Sequence, residues 1–245
     1  MAMTVCINQP HYLPYLGYFK MIDECDVFVF YDDVQFEKQS WQCRNKIPQE
    51  DGFAYMQVPT KKTYTELNFQ LPLGNLIQTN PKVFFAPPIN QVEIRVPDFY
   101  LSQIDLLKSN YQKSPYLKEL LEILEPIFKA QFNKLSELNI TLIKVLANYI
   151  DLKIPVWYQS SAIKIKGGQT ERLVNICARM GADSYLSPVG SKAYLEEGLF
   201  AENGIKLRYL NINPPDHWSI IHSLLTLGPQ KTKEIIQNQL CINTD

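Results

Sequence analysis

The chain has 245 residues, of which 46% are hydrophobic and 20% charged, and its formal net charge is −1. This composition predicts a globular protein with a sizeable core, and the lack of a long basic run argues against a dedicated nucleic-acid binder. No apolar run approaches the ~20 residues that span a bilayer, and the N-terminus does not resemble a signal peptide. We therefore expect a cytoplasmic protein without a membrane span.

The five cysteines are scattered along the chain without a C-x-x-C pair. An odd number of cysteines in a chain without a signal peptide indicates reduced thiols rather than disulfides. Because Cys and His residues also lack finger-like spacing, we expect no zinc site. The sequence does not indicate which cofactor, if any, the protein uses, and it leaves the oligomeric state open.

The N-terminal region predicts a parallel β-α-β unit. Thr4–Asn8 is a short β-type run, and Pro10 and Pro14 forbid regular structure in the loop that follows. Leu16–Cys25 has the apolar spacing of a short helix. Val27–Tyr31 is a continuous apolar run, which is typical of a strand buried on both faces of a sheet.

The middle of the chain is predicted to be partly irregular and then helical. Phe53–Pro59 and Thr63–Leu71 could form two strands of a small antiparallel element, and Asn75–Asp98 reads as a loop with short turns. A helical insertion at residues 99–150 follows. Its three helices are predicted at Phe99–Lys113, Pro115–Phe128 and Phe132–Ile150.

The rest of the chain returns to alternating strands and helices. Strands are predicted at Pro155–Ser160, Ser184–Leu186 and Ile205–Leu210, and helices at Thr170–Gly181, Lys192–Gly198, Trp218–Leu227 and Thr232–Gln239. We therefore predict a single α/β domain over residues 1–245. It combines a mainly parallel Rossmann-like sheet with the helical insertion and closing C-terminal helices.

The loop after the first strand is one candidate site, because ligands of open parallel sheets bind at the carboxyl ends of the strands. Two prolines give this loop a rigid path, and Gly17 permits close backbone approach. His11 has a side chain that titrates near neutral pH, as general acid–base catalysis requires. A structural proline turn with an incidental histidine is the alternative.

The end of the second predicted strand carries two adjacent carboxylates, Asp32 and Asp33. Such a pair could bind a metal, orient an amine or hydroxyl, or act as a base, although a turn with a helix cap is the alternative. Arg44 and Asn45 follow shortly after and could recognise a carboxylate or phosphate. We favour a functional role for the group.

A third polar strand end contains Ser160, followed by Gly167-Gly168 before a helix. A glycine-rich turn of this kind can present backbone N–H groups to an anion. However, the turn matches neither of the common nucleotide-binding glycine motifs, and the chain has no G-x-S-x-G elbow of an α/β-hydrolase. The stretch Tyr185–Tyr194 offers another small polar turn.

Taken together, these segments resemble the WbqC-like family. The resemblance rests on NQPHYLPYLGYF at Asn8–Phe19, DVFVFYDDVQF at Asp26–Phe36, WQCRNKI at Trp41–Ile47, YQSSAI at Tyr158–Ile163, TERLVNICARMGADSYLSP at Thr170–Pro188 and KAYL at Lys192–Leu195. It implies a role in bacterial surface-polysaccharide (O-antigen-type) or related amino-sugar biosynthesis. The implied reaction is transfer of an acyl or aminoacyl group to an amino sugar, with a nucleotide sugar or an acyl donor as the small-molecule substrate.

The candidate site residues follow from the strand ends and from the family pattern. For catalysis they are His11, Asp32 and Asp33. For substrate binding they are Gln9, Tyr12, Tyr18, Gln35, Trp41, Arg44, Asn45, Ser160, Tyr185 and Tyr194. One departure is His222, which stands where the family tends to have Asp, and this implies a different substrate or impaired catalysis.

Two other functions remain open from the sequence. The first loop loosely resembles the H-x-G-H loop of nucleotidyltransferases, with tyrosines at both histidine positions, so a degenerate nucleotidyltransferase is one alternative. A non-catalytic sugar-binding or scaffolding partner is the other, because aromatic richness and His222 are both compatible with it.

Overall fold

Five parallel strands form the centre of the computed structural model, which describes residues 2–61, 65–67, 83–210, 217–238 and 240. The strands are β1 (Thr4–Asn8), β2 (Val27–Phe30), β3 (Arg44–Gln49), β4 (Gly52–Gln57), β5 (Thr65–Leu67), β6 (Val83–Phe85), β7 (Val156–Gln159), β8 (Ser184–Pro188) and β9 (Lys206–Leu210). The helices are α1 (Leu16–Glu24), α2 (Tyr100–Asn110), α3 (Leu117–Lys129), α4 (Leu135–Tyr149), α5 (Ser160–Ile163), α6 (Gln169–Arg179), α7 (Glu197–Glu202) and α8 (Ile220–Asn238).

The central sheet has the strand order β7-β2-β1-β8-β9, with every neighbouring pair parallel. The chain builds outward from β1 through β2 to β7, and then crosses to β8 and β9 on the other side. This reversal creates a switch point at the carboxyl ends of β1 and β8, where open α/β sheets bind ligands. The predicted α/β fold with a mainly parallel, Rossmann-like sheet is confirmed.

Alternate side chains of the strands enter two separate cores. Phe28 and Phe30 belong to the larger core, which also contains the buried faces of α1, α3, α4 and α8. Val27 and Val29 belong to the smaller core, which contains residues of α6 and α7. Because both faces of the sheet are covered, β2 is buried at all four positions, and the predicted two-faced burial is confirmed.

The three helices predicted for residues 99–150 are present as α2, α3 and α4. Leu120, Leu121, Leu124 and Ile127 form the buried stripe of α3, as their spacing predicts. These helices lie in the long connection between β2 and β7. Over the described ranges, no helix has both the length and the apolar character needed to cross a bilayer.

The predicted antiparallel element has a different partner strand. Phe53–Pro59 does overlap β4, but β4 pairs with β3 in the register Lys46–Tyr55 instead of with Thr63–Leu71. The polar composition of β3 and its Pro48 concealed this strand in the sequence. Of Thr63–Leu71 only β5 is described, and it pairs antiparallel with β6.

Two further segments refine the sequence predictions. The described part of Asn75–Asp98 includes β6 and short 3₁₀ turns, while residues 75–82 lie outside the described ranges. Lys192–Gly198 is not one helix, because a 3₁₀ turn at Val189–Ala193 precedes the separate helix α7.

Helix α8 bends at Gly228, which has φ +80° and precedes Pro229. The bend divides the C-terminal segment into the two closing helices that the sequence predicts. A Cβ atom on Gly228 would lie 2.5 Å from Cζ of Tyr116. Both the backbone conformation and the tyrosine ring therefore require glycine at this position.

We predict that Gly228→Ala lowers the free energy of unfolding by about 2 kcal/mol or more, because it combines backbone strain with a clash against Tyr116. Gly198→Ala, at a helical position of α7 where a Cβ meets nothing within 4 Å, is the control and should be neutral or stabilising. Urea unfolding measures both variants. Equal stability of the two variants would contradict this account of the bend.

Candidate functional site

The first loop, residues 9–15 between β1 and α1, is held against residues 41 and 42 by direct hydrogen bonds. The Tyr12 backbone N–H donates to the Trp41 carbonyl at 2.9 Å. The Gln42 side chain donates to Gln9 Oε1 at 2.8 Å, and the Tyr18 hydroxyl donates to the Gln9 carbonyl at 2.9 Å. The start of the first loop and the segment before β3 therefore form one surface.

Two buried amides fix the path of the same loop. Asn139 on α4 is fully buried, and its Nδ2 donates to the Pro10 carbonyl at 2.9 Å and the Gln42 carbonyl at 2.8 Å. Asn45 Nδ2 donates to the Leu13 carbonyl at 2.7 Å. Leu13 has φ +43°, an unusual conformation for a branched residue, and this hydrogen bond helps to hold it. Asn45 is therefore a structural support of the loop.

His11 carries an unsatisfied polar atom. Its side chain is partly exposed, but Nδ1 is buried and has no hydrogen-bond partner among the described residues. The ring contacts that of Tyr18 at a centroid distance of 5.3 Å. Burial lowers the pKa of His11 to about 4, so the imidazole is neutral at pH 7 and has one nitrogen that can accept a proton.

Three of the predicted substrate-binding tyrosines are buried. The Tyr12 hydroxyl donates to Gln103, and the Tyr18 hydroxyl is bound within the first loop, so both rings shape the loop from below. Tyr185 lies in the smaller core and stacks on Phe200 at a centroid distance of 5.2 Å. Tyr194, by contrast, is 67% exposed beyond the end of β8. The geometry leaves Tyr194 alone among these four accessible to a ligand.

Asp32 is fully buried and caps the start of α5. Its carboxylate accepts hydrogen bonds from the Ser161 backbone N–H (3.0 Å) and hydroxyl (2.7 Å) and from the Gln159 amide (3.0 Å). Burial of a carboxylate is tolerated where donors satisfy its oxygens. Its hydrogen bonds are thus made within the protein.

Asp33 is paired with a residue that sequence reasoning missed. It forms a salt bridge with Arg172 on α6 and also binds the Ser160 hydroxyl. The guanidinium of Arg172 lies 4.9 Å from the centroid of the Tyr31 ring, and its Nε donates to the Ile165 carbonyl at 2.9 Å. The side chains of Asp33 and Arg172 are 23% and 15% exposed, so the pair is at the edge of solvent.

A cationic and aromatic surface lies on the outer face of the β3–β4 hairpin. Arg44 and Lys46 are separated by the buried Asn45, so both point outward. Arg44 lies 4.3 Å from the centroid of the Tyr55 ring, and Lys46 lies 4.8 Å from that of Trp218. We name the adjoining space of about 250 Å³ the hairpin cavity; it is lined by Gln39, Ser40, Trp41, Arg44, Lys46 and Tyr55.

The structure divides the candidate residues into two neighbouring groups. Gln9, Trp41 and Arg44 belong to the surface formed by the first loop and the hairpin. The aspartates and Ser160 form a carboxylate cluster at the ends of β2 and β7, which a hydrogen bond from Tyr31 N–H to the Asn8 carbonyl joins to the first loop.

Gln35 is exposed, and its backbone forms an isolated bridge with Pro88. The structure therefore shows a backbone pairing for Gln35 and assigns no role to its side chain. Across the described ranges, no group of three or more His, Cys, Asp and Glu side chains is placed to hold a metal ion.

Comparison with known proteins agrees with these features. The model of the WbqC-like protein family matches residues 9–70 and 80–224, which include the first loop, both aspartates and the hairpin. The chain belongs to the WbqC-like protein family. Rv1507c of Mycobacterium tuberculosis (strain ATCC 25618 / H37Rv), described as an uncharacterized protein, is 28% identical over 208 residues, covering 84% of this chain and 81% of the relative. No solved structure gives a significant match.

Within this WbqC-like chain, His222 lies in the first turns of α8. Its Nδ1 and the hydroxyl of Tyr111 are 2.9 Å apart, and the two rings have a centroid distance of 5.9 Å. Nearby, Ser219 donates to the Leu13 carbonyl at 2.8 Å and so supports the first loop. His222 thus joins α8 to the end of α2.

We predict that His11 makes the stability of this WbqC-like protein depend on pH. Because its pKa falls from 6.5 in the unfolded chain to about 4 in the folded one, the unfolded state binds the extra proton between these values. The contribution is complete above pH 6.5 and declines as the pH falls. At pH 5 this titration of His11 makes the free energy of unfolding about 2 kcal/mol lower than at pH 8.

Urea unfolding of His11→Gln at pH 8 and pH 5 tests this prediction. The loss of stability between the two pH values should be about 2 kcal/mol smaller than in the wild type. His217→Gln removes an exposed histidine and serves as the control. A loss in His11→Gln that equals the wild-type loss would show that His11 is not the group responsible.

Proposed function

We propose that this WbqC-like protein transfers an acyl or aminoacyl group to the amino group of a nucleotide-linked sugar, in surface-polysaccharide or related amino-sugar biosynthesis. The observation that carries the proposal is the hairpin cavity. There Arg44 and Lys46 share one space with the rings of Trp41 and Tyr55, which are 40% and 46% exposed. Cations suit a pyrophosphate, and accessible aromatic faces suit the flat surfaces of a base or sugar.

The two cations are available to a ligand. Neither Arg44 nor Lys46 makes a salt bridge with any residue in the described part of the chain, and their contacts are with aromatic rings. A phosphate could therefore bind without first displacing a carboxylate. The planar guanidinium of Arg44 can donate two parallel hydrogen bonds to one phosphate, while Lys46 adds a point charge.

We place the reacting end of the substrate near His11. The hydrogen bond from Tyr12 to the Trp41 carbonyl joins the residue after His11 directly to the wall of the hairpin cavity. In the reaction the amine nitrogen bonds to the carbonyl carbon of an activated donor, an acyl thioester or acyl phosphate, and the bond to the thiolate or phosphate leaving group breaks. A ring nitrogen of His11 takes the amine proton and passes it to water.

The two aspartates are given different roles. Asp32 is proposed as a positioning residue, because its hydrogen bonds hold the start of α5 and the side chain is fully buried. Asp33 is the better placed of the two to bind an amine or hydroxyl, since it is partly exposed. Its salt bridge with Arg172 leaves His11 as the proposed proton acceptor.

A sugar-binding protein without catalysis is the second candidate. It is favoured by the internal satisfaction of both carboxylates, because a catalytic carboxylate usually keeps a free oxygen for its substrate. Both candidates need the hairpin cavity, and only the first needs turnover.

We predict that the protein binds a nucleoside diphosphate amino sugar, with UDP-glucosamine as the probe, and that Arg44→Gln weakens binding about tenfold or more. Isothermal titration calorimetry measures the change. Lys206→Gln, an exposed lysine at the amino end of β9, removes the same charge outside the cavity and should bind like the wild type. Equal affinities for the two variants would rule out the hairpin cavity as the phosphate site.

We predict that His11→Gln lowers turnover about 100-fold while the affinity for UDP-glucosamine stays within about twofold of the wild type. Mass spectrometry of the amide product, formed from a panel of acyl thioesters and aminoacyl phosphates, measures turnover. Full activity of His11→Gln would remove His11 from the mechanism. Saturable binding without product from the wild type would favour the non-catalytic candidate.

A further inference from the structure

A second cavity, of about 190 Å³, borders residues 38–44, the segment that also borders the hairpin cavity. Cys43 and Gln57 line it, whereas Arg44, the neighbour of Cys43 and the cross-strand partner of Gln57, lines the hairpin cavity. Lys38 and Gln39 are divided between the two in the same way. Both cavities therefore border the same short segment.

The rim of the second cavity is positively charged. Lys38, Lys61 and Arg95 all line it. Lys61 is paired with Glu93 at 2.8 Å, and Lys134 also reaches this carboxylate at 3.3 Å. Lys38 and Arg95 form no salt bridge with any described residue, so the rim keeps excess positive charge although the whole chain has a formal net charge of −1.

The wall of the second cavity is mainly apolar and held by backbone hydrogen bonds. Phe36, Pro59, Pro87 and Val92 contribute to it. The Phe36 N–H donates to the Pro87 carbonyl at 2.9 Å, and the Arg95 N–H donates to the Pro59 carbonyl at 2.8 Å. Lining residues from separate parts of the chain are thus tied in pairs. A cationic rim above an apolar wall suits an anion attached to a short hydrocarbon group.

We propose that the second cavity binds a small organic anion, a carboxylate or phosphate carrying a short apolar group, and that this anion belongs to the acyl donor. The role as donor rests on the proposed transfer reaction, whereas the anion site stands on its own charges and shape. A transferase must hold two substrates next to each other, and the two cavities adjoin the same segment, residues 38–44.

Calorimetric titration of the full chain with acetate, butyrate and butyl phosphate tests the site. We expect saturable binding of butyrate, butyl phosphate or both. Acetate should bind more weakly than butyrate by up to about tenfold, because the two additional methylene groups of butyrate contact the apolar wall. Preference between butyrate and butyl phosphate identifies the anionic group. If neither butyrate nor butyl phosphate binds saturably, the second site does not exist.

Charge-removing variants locate the binding. Lys38→Gln and Arg95→Gln, both at exposed positions, should each weaken the binding of butyrate or butyl phosphate by about five- to tenfold, and Lys206→Gln should leave it unchanged. An equal effect of all three variants would mean that only overall charge matters, and would overturn the site.

Titration of the same variants with UDP-glucosamine separates the two proposals. If the wild type binds UDP-glucosamine but neither butyrate nor butyl phosphate, the proposed second site is wrong and the hairpin cavity stands. The opposite result is that butyrate or butyl phosphate binds, and binds more weakly to Lys38→Gln and Arg95→Gln, while UDP-glucosamine does not bind. In that case the second site stands, and the donor role fails together with the proposed function. Unchanged UDP-glucosamine affinity in both variants is the result that supports two independent sites.

Discussion

The side-chain amide of Asn139 holds together the two segments from which the candidate site is built. Its Nδ2 donates to carbonyls of Pro10 and Gln42, so one buried group on α4 fixes the first loop against the segment that leads into β3. Loss of such an amide would leave two buried carbonyls unsatisfied, at about 1–3 kcal/mol each. The helices between β2 and β7 therefore do more than fill the connection, because one of them sets the geometry of the site.

The negative and positive side chains near this site have different surroundings. The carboxylates of Asp32 and Asp33 are satisfied by internal donors, including Arg172, which stabilises the carboxyl ends of β2 and β7. By contrast, Arg44 and Lys46 have aromatic rings as their neighbours and no carboxylate partner among the described residues. A nearly neutral chain thus presents local positive charge to solvent, and such a field favours anionic ligands.

The parts of the fold that could be predicted are those in which local pattern and final environment agree. The apolar run at β2 and the stripe of α3 are examples, because burial on two faces and on one face leave different spacings. Strand β3 could not be found in this way, since its pairing with β4 outweighs the poor strand propensity of Pro48.

In the candidate site, too, the local pattern of side chains was visible in the sequence, whereas contacts between distant residues were not. The outward alternation of Arg44 and Lys46 was present in the sequence but required β3 to be recognised as a strand. Asp32 is different, because its partners on α5 lie 128 or more positions away, and only the packed sheet brings them together.

We propose that the first loop and the segment leading into β3 form one ligand site. Amide hydrogen exchange of residues 9–13 and 39–46, with and without UDP-glucosamine, tests it most directly. Because Asn139 and the hydrogen bond from Tyr12 to Trp41 join the two segments, ligand binding should slow exchange in both over the same concentration range. Protection of only one segment, or of neither, would contradict the claim.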